Sequence, residues 1–84
     1  MNDKEKKAFR IAADFYQRWR ETIIETDEKW LAFAEDSGRC AEEVDINHNP
    51  LGLQLMIAVV NAIGDLYKDG MKPMPANYFG RDDL

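Results

Sequence analysis

Four carboxylates form the pattern in this sequence that comes nearest to a catalytic motif. Glu25 and Glu28 lie three residues apart, and Glu42 and Asp45 repeat that spacing further along the chain. Acids one helical turn apart project from the same side of a helix, so two such pairs can converge on one divalent cation. A Mg²⁺ ion held in this way would neutralise a triphosphate and activate a water molecule.

The order and spacing of the two pairs resemble the carboxylate motif of the all-α nucleotide pyrophosphohydrolases of the MazG and dUTPase type. That resemblance implies a divalent-metal-dependent nucleoside triphosphate pyrophosphohydrolase using Glu25, Glu28, Glu42 and Asp45. In that family both pairs lie mid-helix, whereas here the first spans a predicted helix break and the second lies at a predicted helix end. With 16 acidic residues in the chain, such spacings also arise by chance. We therefore interpret these acids as solvated surface charge.

Two single residues could also carry chemistry. His48 has one acidic neighbour at helical spacing, Asp45, and a metal site needs more ligands than this pair, so we predict a capping or exposed loop histidine. Cys40 has no second cysteine to pair with and no histidine other than His48 to activate it, so we predict a buried small hydrophobic residue. We assign no catalytic, metal-binding or cofactor-binding residue, and we expect no cofactor.

The charge balance argues against nucleic acid as a direct partner. The formal net charge is −5, and the basic residues near the N-terminus are interspersed with Asp3 and Glu5, so they form no basic footprint. Residues 27–49 are the most acidic segment. A further hypothesis is therefore that this segment imitates nucleic-acid phosphate and occupies a DNA-binding partner.

The chain shows no targeting or membrane-spanning signal. No uninterrupted apolar run follows the N-terminal basic residues, as a signal peptide requires. The most apolar stretch is interrupted by Gln54 and Asn61 before it reaches the roughly 18 residues of a membrane span. With a single cysteine in the chain, we expect a cytoplasmic protein without membrane contact.

Capping signals and helical periodicity predict an all-α protein. We expect a three-helix bundle with helices at approximately 3–25, 28–46 and 50–69, inside a single helical domain of residues 1–70 followed by an irregular tail, 71–84. Asn2 with Glu5 forms a capping box at the first helix, either Thr26 or Asp27 can cap the second, and Asn49 before Pro50 caps the third. Gly70 is expected to end the third helix in the left-handed conformation.

The first two helices each show one apolar line. In the first helix this line is Phe9, Ala12, Tyr16, Trp19 and Ile23, widened by Ile11, Phe15 and Ile24. In the second it is Trp30, Phe33 with Ala34, Ser37, Ala41 and Val44. Both lines have nearly the period of a helix, so each helix has one face for packing. Gly38 weakens the second helix, and we expect either a close helix approach or a kink there.

The third helix is apolar around most of its circumference. Between Leu51 and Tyr67 the polar positions are confined to a narrow line that includes Gln54, Asn61 and Asp65. A bundle of three helices cannot cover so much apolar surface. We predict that the edge with Leu55, Val59 and Leu66 packs in the chain's own core while the opposite edge forms an interface. The predicted interface residues are Leu53, Met56, Ile57, Val60, Ile63 and Tyr67.

Three partners could cover that interface. We favour a homodimer through the third helix, because small chains without disulfides or metals often use oligomerisation for stability. The alternatives are a monomer whose tail folds back with Met71, Met74, Tyr78 and Phe79, and a different protein partner. The function predicted is that of a small, non-enzymatic, self-associating interaction or regulatory module.

Several packing motifs also resemble a known group of proteins. These motifs are Phe15-Tyr16-x-x-Trp19, Asp27-Glu28-x-Trp30, and Asn49-Pro50-Leu51 with the apolar positions that follow, up to Ile63. They are similar to those of short all-helical bacterial proteins that are often encoded in phage-like or mobile-element gene clusters. The resemblance implies a cytoplasmic accessory protein and assigns no activity to any residue.

Overall fold

A computed structural model describes residues 1–67, which form three α-helices. The helices are α1 (Asp3–Arg20), α2 (Asp27–Val44) and α3 (Pro50–Asp65). Each helix contacts the other two, and the contact between α1 and α3 is the most extensive. The prediction of an all-α three-helix bundle is confirmed. The predicted tail, 71–84, and the predicted cap Gly70 lie outside the described residues.

The helix starts follow the predicted caps. The Asn2 side chain accepts the backbone N–H of Glu5 at 2.8 Å, and the Glu5 carboxylate accepts the backbone N–H of Asn2 at 3.0 Å. Thr26 and Asn49 likewise accept a backbone N–H three residues further on, in α2 and α3. Each cap satisfies a donor that the first turn of a helix leaves without a partner.

α1 ends at Arg20, so the prediction that it continues to residue 25 is wrong. The three residues Thr22, Ile23 and Ile24 are β-branched, which disfavours a helix. Ile24 is buried in the connector, and its backbone N–H donates to the phenolic oxygen of Tyr67 at 2.7 Å. This hydrogen bond to Tyr67, the last described residue, links the non-helical connector to the end of the bundle. The first two helices are therefore separate.

The other two helices also end earlier than predicted. α2 ends at Val44 rather than at residue 46, because Asp45 adopts the left-handed conformation, with φ of 57°. α3 ends at Asp65 rather than at residue 69, and the N–H groups of Leu66 and Tyr67 bond to carbonyls three residues back. Left-handed residues and tightened last turns are common ways to terminate a helix.

The core lies where the three helices meet. Its members are Ala8, Ala12, Phe15, Trp19, Ile24, Phe33, Cys40, Val44, Met56 and Ile63. The expected α1 line was therefore wrong in part: Phe9 is 45% exposed and Ile23 is also exposed. The buried line runs through Ala8, Ala12, Phe15 and Trp19, so it shares two residues with the expected line and the packing face is rotated by about 50°.

Candidate docking site

The four acids of the pyrophosphohydrolase hypothesis are not brought together within one chain. Glu25 lies in the connector before α2 and Glu28 in the first turn of that helix, whereas Glu42 and Asp45 lie at its other end. Fourteen residues separate Glu28 from Glu42, which corresponds to about 21 Å along a helix. Among residues 1–67, no group of three or more His, Cys, Asp or Glu residues is placed to hold a metal ion.

Asp45 instead ties the connector after α2 to the start of α1. Its carboxylate lies 3.0 Å from the Lys4 ammonium and 2.9 Å from Nδ1 of His48. The hydrogen bond with His48, followed by that with Lys4, lowers the pKa of Asp45. His48 is an exposed residue of the α2–α3 connector, as predicted.

Cys40 is buried, which confirms the interpretation as a small core residue. Burial, together with the nearby negative charge of Asp36, raises the pKa of the Cys40 thiol. A thiol that stays protonated at neutral pH is a poor nucleophile. Its position favours packing over chemistry.

A polar cluster that the sequence analysis missed joins α1 to α2. Oδ2 of Asp36 accepts hydrogen bonds from the Trp19 indole at 2.7 Å and from Arg18 Nε at 3.0 Å, and its other carboxylate oxygen pairs with Arg39. Partial burial alone would raise the pKa of Asp36, but these hydrogen bonds outweigh it and the pKa lies below its usual value. One feature of the sequence could have indicated this cluster: Asp36 lies three residues after the core residue Phe33. These hydrogen bonds link α1 to α2.

The six predicted interface residues divide into two groups. Met56 and Ile63 are 4% and 0% exposed, so they belong to the chain's own core and not to its surface. Tyr67 is half-buried against the ring of Trp30, and its hydroxyl lies 3.3 Å from the Thr22 carbonyl, so it serves the connector. These three residues therefore contribute to the chain's own fold, with Tyr67 positioned just after the end of α3.

The remaining three residues line an open groove between α2 and α3. Leu53, Ile57 and Val60 form the α3 wall. Ser37, Gly38 and Ala41 line the α2 side, where the sequence analysis placed Ser37 and Ala41 on the packing line of that helix. With Ile46, Met56 and Asn61 these residues enclose about 310 Å³. All of them are uncharged.

Small side chains keep this groove open. A Cβ atom built on Gly38 meets no atom within 4 Å, so the close helix approach expected at Gly38 does not occur within the described chain. α2 continues through Gly38 to Val44. On the opposite wall Ile57 stays 44% exposed. We name this surface the α2–α3 groove.

The flanks of the α2–α3 groove are polar but differ in charge. Glu42 borders a second depression together with Gly38 and Ala41, so the α2 flank is acidic. On α3 no charged residue occurs before Asp65, and Asn61 lies at the rim. Arg39 pairs with Asp36 and Glu43, so a positive charge lies among the carboxylates of α2.

Comparison with known proteins adds no assignment. No protein-family model matches the sequence, and no curated protein or solved structure matches it significantly. Within residues 1–67, none of the helices has the length and apolar character needed to cross a membrane.

Proposed function

We propose that this protein is a non-enzymatic protein-interaction module whose docking surface is the α2–α3 groove. The observation that carries the proposal is Ile57, a large aliphatic side chain that is 44% exposed on the wall of an uncharged groove. Burying such a side chain fully is worth about 1.5–3 kcal/mol. Because Ile57 is only partly buried in the chain's own fold, a partner that covers it would gain the remaining part of that free energy.

The shape of the groove supports the same proposal. A wall of aliphatic side chains opposite a wall of small residues suits the apolar face of a helix from a partner. The competing enzymatic hypothesis requires carboxylates that converge, and within one chain Glu28 and Glu42 lie at opposite ends of α2. The groove is therefore the better supported site.

Two neighbouring substitutions test whether the groove serves docking or folding. At concentrations too low for association, Ile57→Gln should change the free energy of unfolding by less than about 0.5 kcal/mol, as surface substitutions usually do. Met56→Gln is the matched control, one residue away but buried, and should cost more than about 2 kcal/mol. Urea denaturation followed by circular dichroism measures both. A loss at Ile57 as large as that at Met56 would show that the groove belongs to the fold.

A nucleotide assay tests the enzymatic alternative directly. We expect no Mg²⁺-dependent release of pyrophosphate from nucleoside triphosphates by the full chain. Release that is abolished by Glu42→Gln would overturn the interaction-module proposal, because it would assign chemistry to the carboxylates of the pyrophosphohydrolase motif.

A further inference from the structure

We infer that residues 68–84 of the same chain fold back over an apolar surface beside the α1–α2 connector and hold that connector against the bundle. This surface consists of Ile23, Trp30 and Leu31. We name it the exit patch, because the last described residue, Tyr67, lies against it. The inference concerns a different surface from the α2–α3 groove and does not depend on the docking function proposed there.

The exit patch contains half of the large apolar side chains that residues 1–67 expose. Six such side chains are exposed in this part of the chain, and three of them belong to the patch. The Trp30 ring lies 5.0 Å from the ring of Tyr67, and Leu31, the next residue of α2, is 62% exposed. Ile23 lies between Thr22 and Ile24, whose backbone groups both bond to the Tyr67 hydroxyl. Exposed apolar residues that collect at one place mark a contact surface.

The position of Tyr67 identifies the chain's own continuation as the occupant. Residues 68–84 start beside the Trp30 ring. At about 3.3 Å per residue, Met71 can lie up to about 13 Å from Tyr67 and Met74 up to about 23 Å. Both therefore reach the exit patch. A segment on so short a tether has an effective concentration in the millimolar range, so it occupies this surface ahead of an untethered partner of similar affinity.

The side chains that follow Tyr67 suit an aromatic surface. Methionine is flexible, and its sulfur makes favourable contacts with aromatic rings such as that of Trp30. The apolar residues available for the contact are Met71, Met74, Tyr78 and Phe79.

Charge near the exit patch also favours this segment. Residues 25–29, at the start of α2, contain three acids and one lysine, and all of them are exposed. Residues 68–72 carry the opposite balance, with Lys68 and Lys72 against Asp69. Opposite local charges favour the approach of the two segments. The net charge of −5, which opposes contact between two copies, does not oppose this contact within one chain.

The indole N–H signals of the ¹⁵N-labelled full chain test the contact. The chain has two tryptophans, and the Trp19 indole is held by Asp36 in the core. The double variant Met71→Gln/Met74→Gln should shift the Trp30 signal and leave that of Trp19 nearly unchanged. Met1→Gln, the matched control at a methionine that is 70% exposed, should shift neither. A Trp30 signal that is the same in the double variant would overturn the inference.

Hydrogen exchange tests whether residues 68–84 hold the connector. The Ile24 N–H donates to Tyr67, so the double variant should speed its exchange by about fivefold or more, because the connector opens locally more often. The N–H of Phe15, in the core of α1, should change by less than about twofold. Equal increases at both positions would contradict a local role and overturn the inference.

A mixed-label sample distinguishes the chain's own segment from that of a second copy. Nuclear Overhauser effects between the Met71 or Met74 methyl group and the Trp30 indole should appear in a chain that carries both labels. They should be absent from an equal mixture of chains labelled only at the methionine methyl groups and chains labelled only with ¹⁵N. Effects in the mixture would assign the contact to a second copy and overturn the inference.

Discussion

The face of α2 that meets α1 and the face that meets α3 are built from different kinds of residues. Towards α1, the ring of Phe33 packs 5.5 Å from that of Phe15 and 5.4 Å from that of Trp19, and Asp36 accepts a hydrogen bond from the Trp19 indole. Towards α3, the lining residues are small and leave a groove. A large side chain can close a contact within one chain, whereas a small one leaves space that another molecule can fill.

The largest expected difference between the two faces is in core packing. Phe15→Ala should lower the free energy of unfolding by about 3–5 kcal/mol, since Phe15 is fully buried. Ile57→Ala should cost less than about 1 kcal/mol at concentrations where the chain is monomeric. Chemical denaturation of both variants makes the comparison, and equal losses would mean that the groove is as much a part of the core as the aromatic cluster.

The polar cluster on the α1 side should give a smaller, pH-dependent effect. The pKa of Asp36 is lower in the folded chain than its usual value, so the folded state resists protonation and the cluster stabilises it above about pH 4. That contribution is lost as the pH falls through the lowered pKa. Asp36→Asn should lower stability by about 1–2 kcal/mol at pH 7 and flatten the decline below about pH 4.

Denaturation curves at several pH values measure this effect of Asp36. Glu35→Gln, at an exposed position on the same helix, is the control and should leave both the stability at pH 7 and the acid decline nearly unchanged. If the stability of the Asp36→Asn chain falls with decreasing pH as steeply as that of the natural chain, other carboxylates dominate the acid sensitivity.

The smallest expected effects come from alanine substitutions at two glycines, which should change the stability of the fold in opposite directions. A Cβ at Gly52 would lie 3.0 Å from Asn49 Nδ2 and 3.1 Å from the Val44 carbonyl oxygen, so Gly52→Ala should destabilise the fold by about 1–2 kcal/mol. Gly38→Ala should stabilise it by about 1 kcal/mol, because alanine is the better helix former and the space is free. Thermal or urea unfolding measures both changes in stability. A destabilising Gly38→Ala would place Gly38 inside a packed contact.

The helix starts could be predicted from the sequence, and the helix ends could not. A cap such as Asn2 with Glu5 acts within three residues, so its signal is local. After the end of α1 the β-branched Thr22, Ile23 and Ile24 are one local signal, whereas the backbone N–H of Ile24 donates to the hydroxyl of Tyr67, 43 residues further along the chain. A contact at that sequence distance leaves no trace in local periodicity, and continuation of α1 to residue 25 was therefore the wrong expectation.

The α3 wall of the α2–α3 groove could be predicted from the sequence, and the α2 wall could not. Leu53, Ile57 and Val60 form one edge of a strongly apolar helix, and an excess of apolar surface is visible in the sequence. The contribution of α2 was missed because Gly38 and Ala41 fit a packed face and an open one equally well. Which of the two they line depends on the rotation of α2 about its axis, which is set by the aromatic contacts with α1.

The most direct test of the docking face is a dilution series of the ¹⁵N-labelled full chain, followed by NMR. If the homodimer expected from the sequence forms through the α2–α3 groove, the backbone amide signals of Gly38 and Ile57 should shift with concentration while that of Ala12, buried between helices, stays fixed. Signals that do not depend on concentration, or shifts that centre on α1 and leave the groove unchanged, would contradict the account.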